Sequence, residues 1–199
     1  MNLPNKLTLG RLILIPFFIL AFYLDFTGHY LVALGIFAVA AFTDFLDGYI
    51  ARKYNLVTDL GKFLDPIADK VLVLSALVVM LADPKITNLF FAVGEWGFYL
   101  GGIGVAIIIA REMAVSSLRM LAAKNGKVLA ADKSGKIKTF FTDVTIIIML
   151  FAGDFLTIAP KFGFIVDNVG LVCFGISVLL TVISGVSYLV KNKDVFSEK

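Results

Sequence analysis

Residues 30–52 read YLVALGIFAVAAFTDFLDGYIAR. No charge occurs from Tyr30 to Thr43, and Asp44 and Asp47 then stand one turn apart before the run ends at Arg52. About 20 predominantly apolar residues are what a helix needs to cross the hydrocarbon core of a bilayer. A carboxylate in or beside such a helix is expensive and is functional by default. The stretch therefore reads as a membrane helix with a chemical site at one end.

Working outward, the same pattern recurs. Six apolar blocks fall at 12–27, 30–51, 66–82, 97–118, 139–157 and 168–190. The chain has 199 residues, of which 59% are hydrophobic and 17% charged. A soluble domain carries about 45–50% apolar and about 25% charged residues, so the composition excludes both a water-soluble globule and a disordered chain. Six spans leave only connectors, which predicts a single domain over residues 1–199. The fold class is all-α, a polytopic membrane protein with six transmembrane helices. The first block follows basic residues as a secretory signal would, but no small-residue cleavage site follows Ile13 to Leu24, so it is read as a retained span. Pro16 within it predicts a kink.

The lone Cys173 cannot form a disulfide framework, and with His29 as the single histidine a zinc site of His and Cys is excluded. Any metal must be held by oxygen. Of the 18 Lys and Arg residues, only Lys85 and Lys161 fall on one side of the predicted spans. The positive-inside rule places both termini and the even-numbered connectors in the cytoplasm, in a membrane of bacterial cytoplasmic type. At the N-terminus, Asn5, Thr8 and Arg11 recur every three residues. This gives a short amphipathic helix whose polar face lies on the membrane surface.

Four aspartates gather at the cytoplasmic ends of spans two and three: Asp44, Asp47, Asp65 and Asp69. At 3.6 residues per turn, Asp44, Asp47, Gly48 and Ala51 share one helical face. Gly61, Asp65 and Asp69 share a face of the next helix if it begins early enough, although Asp65-Pro66 resembles a helix start. Four adjoining carboxylates raise one another's pKa and need cations to stay ionised. All-oxygen ligation suits Mg²⁺ or Mn²⁺, and four acids suffice for two ions, an arrangement suited to displacement at phosphorus. The small residues Gly48, Ala51 and Gly61 leave room for a phosphate. A calcium loop is a poor fit, because its acids alternate whereas these follow helical spacing.

The run Asp44-Phe-Leu-Asp47-Gly48-Tyr-Ile-Ala51-Arg52, followed at fixed spacing by Gly61, Asp65 and Asp69, resembles the signature of the CDP-alcohol phosphatidyltransferases. The resemblance covers nearly the whole chain. It implies six membrane helices, a cytoplasmic active site and a homodimer. It also implies that Asp44, Asp47, Asp65 and Asp69 are metal ligands, Asp69 being in addition the general base. Asp47, Gly48, Ala51, Arg52 and Gly61 would bind CDP-diacylglycerol. The opening Pro4 to Arg11, the segment Arg111-Glu112 to Arg119, and Gly135 to Thr139 are similar to the branch that uses glycerol 3-phosphate as acceptor. Asn5, Thr8 and Arg11 would then be accessory to the site.

A dianionic acceptor needs a cationic pocket. Arg111 and Arg119 lie about 80° apart around one helix, so both can lean toward one cavity. Lys136 and Lys138 point about 160° apart, so one of them reaches the phosphate. The competing reading has these four meeting anionic headgroups of membrane lipids. Asp143 is expected to pair with Lys136 along one helix side. Gly97, Gly101 and Gly104 read as close helix packing. Two alternatives stay open: another acceptor in the same family (inositol phosphate, serine or a lipid alcohol), and a cation transporter. A transporter places its acids near the midplane, often on paired repeats, and the sequence shows neither. No nucleic-acid partner is expected.

Overall fold

The computed structural model describes residues 2–54, 59–83, 85–86, 96–124, 129 and 133–195. Six long helices and no strand occur among the described residues. They are α1 (Leu3–Tyr23), α2 (His29–Lys53), α3 (Asp59–Leu81), α4 (Trp96–Lys124), α5 (Lys133–Ile158) and α6 (Pro160–Lys191), with a 3-10 turn at Lys193–Val195. Five of them are long and apolar enough to cross a membrane, so the chain is an integral membrane protein. In the remaining helix, α3, the apolar stretch among the described residues is Lys70–Leu81. The half of α3 that precedes it carries the acids, and α3 begins at Asp59, six residues before Asp65. Gly61, Asp65 and Asp69 therefore belong to one helix, which runs through Pro66 rather than starting there.

The chain divides into two compact units, one of Met1–Ile86 with Ile146–Asp167 and one of Thr87–Thr145 with Asn168–Lys199. Helices α5 and α6 contribute to both.

In the first unit α1 packs on α2 and α3, and the register follows from two stripes. On α1 the buried positions include Asn5, Thr8, Arg11, Ile15, Phe18 and Phe22, and on α2 they include Tyr30, Ala33, Phe37, Ala40 and Asp47. Both follow the three-and-four spacing of a single helical face. Phe22 meets Tyr30 edge-on at 5.4 Å between ring centroids, and Phe18 meets Phe37 at 6.1 Å. Those pairs fix an antiparallel alignment, and the same alignment sets Arg11 opposite Asp44 and Asp47. Ala33 and Ala40, both fully buried, let the helices approach closely.

The N-terminal stretch is not a separate surface helix. It forms the first turns of α1, and its polar face of Asn5, Thr8 and Arg11 is buried. Nothing breaks the helix between Arg11 and Leu12, and acidic partners on α2 satisfy the polar face better than a headgroup layer would. Pro16 also leaves α1 continuous.

The other end of this unit is held by polar caps. Gly28, at φ +92°, turns the chain into α2, a conformation that glycine adopts without strain. Asp154 of α5 caps that helix from a distance, its carboxylate accepting from the amides of Gly28 (3.1 Å) and Leu31 (2.8 Å). Tyr30 donates to Asp83 at 2.6 Å, and its ring lies against Gly153, where an added Cβ would stand 2.7 Å away. At the α5–α6 turn an added Cβ on Gly163 would lie 2.5 Å from the amide nitrogen of Leu156. Backbone cannot swing aside. We expect Gly163→Ala to lower stability by about 1–3 kcal/mol despite alanine's better helix propensity. Thermal unfolding in detergent checks this, and an unchanged midpoint would contradict so close a turn.

The second unit has its own core of Val115, Leu118, Ala122, Tyr188 and Val195. Gly104 lies so close to α6 that an added Cβ would meet the Phe174 ring at 2.8 Å, as the close-packing reading of that glycine expects. The hydroxyls of Thr142 on α5 and Ser177 on α6 lie 2.6 Å apart, a buried polar link of the kind that joins helices in lipid.

Candidate active site

Each unit contributes one polar constellation. In the first, the guanidinium of Arg11 is wholly buried. It pairs with Oδ1 of Asp44 at 2.6 Å and, through Nη2, with Oδ2 of Asp47. Thr8 donates to the Pro4 carbonyl at 3.2 Å, and its hydroxyl lies 3.4 Å from the Asp47 carboxylate. Asp47 is buried, whereas the Asp44 side chain is 42% exposed. One acid is thus fixed inside and the other faces outward from the same face of α2.

Two carboxylates on one cation leave the group net negative. A buried ion pair is weak evidence for stability, because desolvation costs several kcal/mol per ion. Such a group serves better as a site than as a brace. The Nε of Arg11 is buried without a hydrogen-bond partner among the described residues, which leaves that N–H for a ligand. Guanidinium binds phosphate oxygens well.

The rest of the predicted aspartate site is placed by its backbone. Ala51 and Arg52 continue α2, and Gly61, Asp65 and Asp69 lie in α3. The side chains at these five positions lie outside the described residues. Among the described residues no group of three or more His, Cys, Asp or Glu is placed to hold a metal. The donors that are described fit a hard divalent ion, since Asp44 and Asp47 converge on one positive group and offer only oxygen.

The second constellation lies where α4, α5 and α6 meet within the second unit. Oε1 of Glu112 accepts from Nη1 of Arg111 at 2.8 Å and from Nζ of Lys138 at 2.6 Å. Nη2 of Arg111 reaches the Ser184 hydroxyl at 3.3 Å, and its Nε is buried without a partner among the described residues. Lys138 is buried and Lys136 is exposed, so the structure brings one of that pair to Arg111. Arg119 does not join them. It bonds the Tyr188 hydroxyl at 3.1 Å and lies over that ring at 5.4 Å. Lys136 is exposed, and the ion pair with Asp143 expected along α5 is not found among the described residues, where Asp143 has another interaction.

Glu112, which the sequence places in a family segment without a role of its own, is the acid at the centre of this cluster. The signal was available, since an acid inside an apolar helix is the same anomaly that singles out the aspartates. Its direct neighbour Arg111 masks it, because adjacent opposite charges read as self-cancelling.

The family model described as CDP-alcohol phosphatidyltransferase matches residues 1–186. The chain belongs to the CDP-alcohol phosphatidyltransferase family. Among its relatives in that family, the CDP-diacylglycerol–glycerol-3-phosphate 3-phosphatidyltransferase of Rickettsia felis is 36% identical, over 98% of this chain and 97% of its own. The protein of the same name from Bacillus subtilis is 36% identical, over 96% and 95%. That from Shigella flexneri is 39% identical, over 94% and 93%. The similarity thus takes in both constellations, one in each unit.

Proposed function

We propose that the protein transfers the phosphatidyl group of CDP-diacylglycerol to glycerol 3-phosphate, giving phosphatidylglycerophosphate and CMP. The observation that carries this reading is similarity along the whole chain to relatives named for that reaction. Residues 1–199 then work as one catalytic domain, and two copies form the homodimer that the family resemblance implies.

Asp44 and Asp47, with Asp65 and Asp69, would hold two divalent ions, Mg²⁺ or Mn²⁺; divalent-metal dependence is general for the family. Bound there, the ions supply positive charge to the pyrophosphate and to the CMP that leaves. Arg11 supplies a fixed cation beside the same carboxylates, and its Nε has no partner among the described residues. Gly48, Ala51 and Gly61 leave space for the nucleotide's phosphates, and Arg52 offers a bidentate contact. Asp69 takes the proton from the acceptor hydroxyl as that oxygen attacks the phosphorus bearing the diacylglycerol. The bond from that phosphorus to CMP breaks, and CMP departs with the electron pair. A carboxylate is a weak base for an alcohol, so fixed positive charge around the phosphates carries much of the barrier.

Arg111 and Lys138 hold the phosphate of the acceptor. The cluster around them is net positive and keeps, among the described residues, an unpartnered buried N–H on Arg111. Arg119 and Lys136 have a weaker claim, since one is occupied by Tyr188 and the other is exposed. Steady-state kinetics test this. Arg111→Ala should raise the KM for glycerol 3-phosphate about 10- to 150-fold, the worth of a charge-assisted contact, and leave that for CDP-diacylglycerol nearly unchanged. Equal weakening toward both substrates would refute the assignment.

The active side faces the cytoplasm in this reading, as do both termini. Cysteines placed at Lys85 and Lys161 should react with an impermeant reagent added outside intact cells. Reaction only after the cells are opened would reverse the orientation.

A further inference from the structure

Glu112 has no part in the chemistry described above, yet it sits at the centre of the cationic cluster. One oxygen, Oε1, takes a hydrogen bond from Arg111 at 2.8 Å and from Lys138 at 2.6 Å. Two cations that share one oxygen stand close together, and like charges at such range repel strongly where the dielectric is low. Lys138 cannot relieve that repulsion by turning outward, because its side chain is only 4% exposed. The carboxylate also leaves most donors free. Lysine has three N–H groups and arginine five, and Glu112 uses one of each.

The seat of Arg111 is completed by two glycines from two other helices. A Cβ on Gly185 of α6 would stand 3.0 Å from Cγ of Arg111, and one on Gly135 of α5 would stand 3.3 Å from its Nη2. Ser184, beside Gly185, accepts from the same Nη2. The arginine thus lies along two bare backbones with its guanidinium pinned by a carboxylate on one side and a hydroxyl on the other. Such a side chain has one available position rather than many, and pre-organisation of this kind raises affinity by reducing what binding must order.

We propose that Glu112, together with Gly135 and Gly185, is a positioning element for the acceptor's phosphate: it holds Arg111 and Lys138 side by side against their mutual repulsion, at a spacing that a single dianionic phosphate bridges. This rests on the reading of Arg111 and Lys138 as the phosphate-binding pair. The opposite effect is also physically available, since a carboxylate beside a phosphate site repels the ligand, and the two predict opposite signs. Positioning prevails because the side chains of Arg111 and Lys138 are only 13% and 4% exposed, so solvent screens their mutual repulsion little.

Kinetics of the full-length enzyme in mixed micelles decide between them, with inorganic phosphate as a competitive probe of the same pocket. Glu112→Gln keeps the shape and removes the charge. It should raise the KM for glycerol 3-phosphate and the inhibition constant of inorganic phosphate together, each by about tenfold or more. The KM for CDP-diacylglycerol and the kcat at saturating acceptor should change by less than about threefold, a split that general damage to helix packing does not produce. Glu112→Asp should recover most of the loss. Gly135→Ala changes no charge but presses on Nη2 of Arg111, and it should raise the same two constants by a smaller factor. An unchanged or lower KM for glycerol 3-phosphate in Glu112→Gln would overturn the proposal, as would a parallel rise for both substrates. Arg111→Ala separates the two levels. If it leaves the acceptor KM unchanged, the phosphate-site reading itself fails; if it raises that KM while Glu112→Gln does not, the phosphate site stands and the positioning role of Glu112 falls.

Discussion

Asp44→Ala and Asp47→Ala should each abolish turnover, yet only the second should loosen the fold. Both acids are expected to ligate metal, so losing either leaves an ion under-coordinated. Their burial differs sharply. Asp44 is 42% exposed on its side chain and Asp47 only 4%. The Asp44 carboxylate is open to water, and Arg11 keeps its buried partner Asp47 when Asp44 is lost, so Asp44→Ala should melt within a few degrees of the parent. Removing Asp47 strips the buried Arg11 of its buried partner, and breaking such a pair costs about 3–5 kcal/mol. Activity and thermal unfolding measured on the same purified samples read out both effects. Chelation should abolish turnover as well, with Mg²⁺ or Mn²⁺ restoring it. Full activity in excess chelator would sink the two-ion proposal, and equal melting of the two variants would contradict the burial difference.

Asp69→Asn carries the next largest effect. Asparagine keeps the shape and an oxygen donor but cannot accept a proton at neutral pH. General-base catalysis contributes about 10²–10⁴-fold, so turnover should fall by that much or more while CDP-diacylglycerol binding is largely kept. If nucleotide or metal binding falls in proportion to rate, Asp69 is a ligand only.

Much of this was legible in residue spacing. Helical period alone puts Asp44 and Asp47 on one face with each other and with the buried stripe of Tyr30, Ala33, Phe37 and Ala40. The same period groups Asn5, Thr8 and Arg11, but it does not say what covers them. A polar face on an N-terminal helix is equally consistent with lipid headgroups or with acids on a neighbouring helix, and only the antiparallel register of α1 on α2 decides. Arg111 and Arg119 show the same limit. Their angular separation permits a common cavity, yet Tyr188 lies closer to Arg119 and takes it. The early start of α3 at Asp59 was hidden by Pro66, a residue that marks helix starts but that membrane helices also tolerate internally. Asp154 capping α2 from more than a hundred residues away has no sequence signal, because an acid near one helix end says nothing about another helix's amides.

The two substrates define the reaction. It is tested most directly by incubating the purified protein with CDP-diacylglycerol, a divalent metal and one acceptor at a time: glycerol 3-phosphate, inositol phosphate, serine or a lipid alcohol. CMP release and the lipid product are followed together. CMP and phosphatidylglycerophosphate should appear in equal amounts with glycerol 3-phosphate, and its kcat/KM should be at least about tenfold above that of every other acceptor, the worth of one charge-assisted phosphate contact. Faster reaction with inositol phosphate or serine, or no CMP release with glycerol 3-phosphate, would contradict it.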